Sequence, residues 1–127
     1  MKSYPFTALF DDATVERFTC GDCAKLAIAV AGILNCSVVN IDNSHAAAYD
    51  ELRGIAIDIE GVWDLDALVK RWGTTSPHVD VMTVKQARQE MRSWEGFNSR
   101  DPWVRKTGTI KGNACKIAEV TRAWAGF

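Results

Sequence analysis

The stretch Cys23–Leu34, reading CAKLAIAVAGIL, holds a single charged residue, Lys25, in twelve positions. Gly21 and Asp22 ahead of it supply a turn and an N-cap, and Asn35 suits its end, so the stretch is expected to be a helix. A helix with almost no solvated face must lie in the middle of a fold. Alanines at 24, 27, 29 and 31 let neighbouring elements approach it closely. At 127 residues with 47% hydrophobic content, the chain suits one domain spanning 1–127 around one core. It contains no internal repeat, low-complexity tract or Pro/Gly-rich linker that would mark a boundary.

Strand signals follow the helix: Ser37–Ile41, His45–Tyr49 and Gly54–Ile59, the last with Ile55, Ile57 and Ile59 in strict alternation. A meander is their simplest pairing. Asp64 is placed to cap a helix whose Leu65, Leu68, Val69 and Trp72 fall on one stripe, and Gly73 to end it. Val79–Met82 reads as one more strand. Thr83 with Gln86 forms a capping box for a helix carrying Val84, Ala87, Met91 and Trp94. From Glu95 to Thr109 the pattern dissolves into a loop, after which Asn113 is expected to cap a last helix with Ile117, Val120, Thr121 and Trp124. The expectation is an α+β fold: a central N-terminal helix on a small antiparallel sheet, with additional flanking helices.

The formal net charge of −1 exerts no general pull toward nucleic acid or membranes. Residues 1–84 nevertheless carry 6 Lys/Arg against 12 Asp/Glu, and residues 85–127 carry 9 against 4. That asymmetry fits solvated faces that attract one another within the fold, or a bipolar surface for a charged partner. Met1–Phe6 lacks the apolar stretch of a signal peptide, and no run approaches the length that crosses a bilayer. A cytoplasmic location is therefore expected. There, Cys20, Cys23, Cys36 and Cys115 stay reduced rather than forming a disulfide framework.

Taking Asp50–Arg53 as a four-residue hairpin loop pairs Tyr49 with Gly54, Ala47 with Ala56 and His45 with Asp58. Those side chains share one face, with directly opposed Cβ atoms roughly 4.5–5.5 Å apart. The face is otherwise shallow, and the alanine-rich helix is expected to dock on it with Cys23 beside the imidazole. Both a helix N-terminus and an adjacent imidazolium favour a thiolate, which makes Cys23 the candidate nucleophile. His45 is then the base and Asp58 the group that orients its ring. Asp22 opposes this unless its carboxylate is occupied in capping.

The segment Gly21-Asp22-Cys23-Ala24-Lys25-Leu26-Ala27, with His45–Tyr49 and Ile57-Asp58-Ile59-Glu60-Gly61, resembles papain-like cysteine hydrolases. It is most similar to small bacterial and phage relatives of the transglutaminase-like and NlpC-type groups. The likeness covers about residues 19–62. It implies a papain-like core, a Cys23–His45–Asp58 triad and a protein or peptide substrate attacked at an amide or isopeptide carbonyl. No Gln or Asn precedes Cys23 as an oxyanion donor, and Thr19 and Tyr4 are the candidates for that place.

Other readings compete. Cys20-Gly-Asp-Cys23 is half of a zinc site that His45 with Asp58 or Cys36 would have to complete, and no second CxxC is present, so neither metal nor cofactor is expected. His78 is the other histidine in the chain. Trp94, Phe97, Trp103 and Trp124 lie among Arg92, Arg100, Arg105, Lys106 and Lys111, a mixture that can stack on nucleic acid, yet the charges are too scattered for a footprint. The rival from another class is a non-enzymatic interaction protein, such as a phage-type inhibitor that grips a host protein through a papain-like frame.

Overall fold

A computed structural model describes residues 4–6, 9–20, 22–91 and 108–125. In chain order these form β1 (Tyr4–Pro5), α1 (Asp12–Cys20), α2 (Cys23–Leu34), β2 (Ser37–Ile41), β3 (His45–Asp50), β4 (Ile55–Asp58), β5 (Gly61–Asp64), α3 (Leu65–Trp72), β6 (Val79–Met82), α4 (Val84–Met91) and α5 (Ile110–Ala125). The strands make one antiparallel sheet in the order β1-β5-β4-β3-β2-β6. The fold class is α+β. Helix α2 is central as its composition requires, with Ala24, Leu26, Ala27, Ile28, Val30, Ala31 and Leu34 buried. Left-handed Asn35 ends it, returning its N–H to the Ala31 carbonyl.

The β3–β4 hairpin departs from the expected register. Its loop is Glu51–Gly54, so Asp50 pairs with Ile55 and Tyr49 with Ala56 rather than Gly54. Gly54 sits at φ +69 and therefore belongs to the loop, whose closing residue must be left-handed. Asp50 Oδ1 accepts the Leu52 and Arg53 N–H groups and holds the turn. The displacement is two residues, an even number, so His45, Ala47, Ala56 and Asp58 keep a common face. His45 and Asp58 are thereby diagonal neighbours instead of directly opposed.

The docking face is also the reverse of the expected one. Helix α2 packs against Ala46, Ala48, Ile55, Ile57 and Ile59, the bulky face. The shallow face, with Val39, Ile41, Ala47 and Ala56, is filled by Leu68, Trp72 and Val69 of α3. Volume matching explains the choice, because small helix residues meet isoleucines on one side and large helix residues meet alanines on the other. Each isoleucine buried this way contributes roughly 1.5–3 kcal/mol.

Caps follow a similar mixture. The Thr83–Gln86 capping box forms, with Thr83 N–H donating to Gln86 Oε1 at 2.8 Å and Gln86 N–H to Thr83 Oγ1 at 3.1 Å. Asp64 precedes α3 without a side-chain cap bond. Asn113 lies inside α5, which starts three residues earlier, and Thr109 Oγ1 accepts the Gly112 N–H there. Helix α1, in a segment with no clear apolar period, and the strands β1 and β5 had no counterpart in the sequence reading. Trp94 and the loop from residue 95 lie outside the described residues up to 107.

Candidate functional site

His45 opens β3 and Asp58 closes β4, and their side chains meet with His45 Nε2 2.9 Å from Asp58 Oδ2. Both are almost wholly buried, at 0% and 3% side-chain exposure. The carboxylate is tightly placed. Its Oδ1 accepts the backbone N–H groups of Glu60 at 2.9 Å and Gly61 at 3.1 Å and the Trp63 Nε1–H at 3.0 Å. Only Oδ2 is left for the imidazole. A bare Cβ at Gly61 would stand 2.5 Å from the Tyr4 carbonyl oxygen, so the turn that carries these amides can pass beneath β1 only as glycine.

Above the ring lies Trp72 of α3, stacked at 4.2 Å between centroids and 13° between planes. The next residue back, Arg71, reaches across to Glu60 with a two-pronged bond of 2.9 and 2.8 Å. Helix α3 is thus tied to the very turn whose amides hold Asp58.

Because an ionised carboxylate only accepts, His45 carries its proton on Nε2. Its Nδ1 completes no hydrogen bond of standard geometry among the described residues. Besides Asp58, the thiol of Cys23 acts on the ring. Cys23 is half-buried at the start of α2. Although α2 and the dyad lie on opposite faces of the sheet, the two chain positions meet at the end where β3 begins. Burial, the largest influence, disfavours the imidazolium. The bond to Asp58, the interaction with Cys23 and the negative charge of both outweigh it, and His45 is pushed up to about 9.

Asp22 does not cap α2 with its side chain. Its carboxylate is instead occupied by Arg17 Nε at 2.9 Å and Lys25 Nζ at 3.7 Å. Of the oxyanion candidates, Thr19 Oγ1 donates to the Val15 carbonyl at 2.9 Å within its own helix, and Tyr4 stacks on Trp124 with ring centroids 5.5 Å apart. His78 is 77% exposed and faces Asp80 at 3.1 Å, apart from the dyad. Burial, then the charge of Asp50, pushes the Cys36 thiol up to about 11 despite a backbone bond at Tyr49, which makes it a poor nucleophile. Cys115 is exposed on α5.

Among the described residues no group of three His, Cys, Asp or Glu side chains is placed to hold a metal ion, and no helix is long and apolar enough to cross a membrane. Of the tryptophans and Phe97 weighed for nucleic acid, Trp94, Phe97 and Trp103 lie outside the described residues, and Trp124 packs on Tyr4. Three residues of the site escaped the sequence reading: Trp63, Arg17, and Trp72 in its role over the ring. By spacing Trp72 falls on a core stripe, and the other two act across turns that no short motif marks. No protein-family model, no curated protein and no solved structure matches the chain.

Proposed function

We propose that this protein is a papain-like cysteine hydrolase or transferase that attacks an amide or isopeptide carbonyl of a protein or peptide. The observation that carries the reading is the buried imidazole gripped by Asp58 through one nitrogen, with the Cys23 thiol as a second group acting on the ring. A histidine held up at about 9 is an imidazolium at neutral pH, the partner that stabilises a thiolate. The Cys23 sulfur adds to the carbonyl carbon. His45 passes its proton to the leaving amine as the C–N bond breaks, and the thioester is then opened by water or by an acceptor amine that His45 deprotonates. Since the first described bond of the α2 ladder runs from Leu26 N–H to the Asp22 carbonyl, the N–H groups of Cys23 and Ala24 stand ahead of the ladder and are the donors for the oxyanion.

Iodoacetamide at pH 6, followed by mass spectrometry, tests the reading. Cys23 is expected to be alkylated about 100-fold faster than Cys36 or Cys115 and to lose that advantage in His45→Gln. Uniformly slow thiols would instead support the non-enzymatic interaction protein, with a host protein as its partner.

A further inference from the structure

A second cluster stands just before the nucleophile. Arg17 of α1 is only 10% exposed and points its guanidinium at the residue preceding Cys23. Its Nε donates to Asp22 Oδ2 at 2.9 Å, its Nη1 donates to the Gly108 carbonyl at 2.8 Å, and its own carbonyl accepts the Asp22 N–H at 3.1 Å. Both the backbone and the side chain of Asp22 are therefore held by one residue. Lys25 assists from 3.7 Å, a longer and looser contact. A carboxylate adjacent to a thiol disfavours the thiolate, while a guanidinium stays charged at any working pH and cannot release the carboxylate by deprotonating.

Building on the thiol reading above, we infer that Arg17 is a positioning residue for Cys23: it cancels the charge of Asp22 and fixes the turn from which the nucleophile leaves. Ionisable groups that act on this corner include Asp22 just ahead of α2, Lys25 of α2, Arg17 of α1, and His45 of β3 with Asp58 behind it. Arg17 acts on Cys23 through Asp22, to which its guanidinium is bonded.

The test is a double-mutant cycle on the full chain, read as the rate at which the Cys23 sulfur displaces iodide from iodoacetamide at pH 6. Arg17→Met is expected to slow that reaction about tenfold, the effect of a one-unit rise in thiol pKa. In Arg17→Met combined with Asp22→Asn, the rate returns to within about twofold of the parent, because the charge that Arg17 cancels is gone. An unchanged rate in Arg17→Met overturns the inference, as does a double variant as slow as the single one, which would mean that Arg17 merely supports the fold. Should Arg17→Met not fold, Arg17→Lys and Asp22→Asn carry the test. The inference then requires the lysine variant to stay within about threefold of the parent and the asparagine variant to be no slower than it. If Cys23 of the parent is not the selectively modified thiol, the thiol reading fails first and this inference falls with it. A reactive parent Cys23 with an unrescued double variant defeats the Arg17 role alone.

Discussion

Under α2 the sheet presents Ile55, Ile57 and Ile59 to a helix lined with alanines, within one large apolar cluster. Under α3 it presents Ala47 and Ala56, and the room they leave holds Leu68, Trp72 and a buried His45–Asp58 pair. The first face is a core whose worth is area removed from water. The second is a polar network kept dry by large side chains, in which every bond of Asp58 has a fixed partner. Binding geometry is thus concentrated on the side where the backbone offers space, and stability on the side where it offers bulk.

The sharpest break of this contrast is Ile57→Ala. It opens a cavity beneath α2 and is expected to lower stability by about 4 kcal/mol in urea titration, while selective alkylation of Cys23 survives in whatever fraction stays folded. Loss of selectivity at full folding would mean that the two faces are not separable.

The second effect is pH dependence. His45 has its folded pKa at about 9, above the ordinary value of 6.5, so its stabilising contribution is complete below pH 6.5 and is lost as pH rises through about 9. Over that window stability should fall by roughly 3 kcal/mol, and His45→Gln should flatten the slope. Cys36, up at about 11, adds its own alkaline loss only above its ordinary value of 9.0, so it does not contribute between pH 6 and 9.

The smallest effect belongs to Trp63→Phe. It keeps an aromatic ring but removes one of three donors to Asp58 Oδ1, at a cost of about 1 kcal/mol in thermal or urea melts. A fall in the Cys23 alkylation rate exceeding what the remaining folded fraction accounts for would tie Asp58 orientation to the thiol. An unaltered rate would assign Trp63 to stability alone.

Much of the frame was legible in the residues. The near absence of charge in Cys23–Leu34 made α2 central, the alternation of Ile55, Ile57 and Ile59 marked β4, and Thr83 with Gln86 marked the start of α4. Helix α1 was not legible because its apolar positions, Val15 and Phe18 among them, form no sustained stripe, and its order comes from packing on α2. Nor was the pairing of Arg17 with Asp22, since five residues across a helix break match no local spacing rule.

By itself the sequence determined which residues alternate and which recur at helical spacing, and hence that His45 and Asp58 share a face. That conclusion outlasted a wrong register because the register moved by two, and strand faces repeat every two residues. Tertiary structure alone decided the loop at Gly54, the side of the sheet taken by α2, the Trp72 roof and the approach of Cys23 to the imidazole. Those depend on matching volumes and donors between segments far apart in the chain, and no local period carries that information.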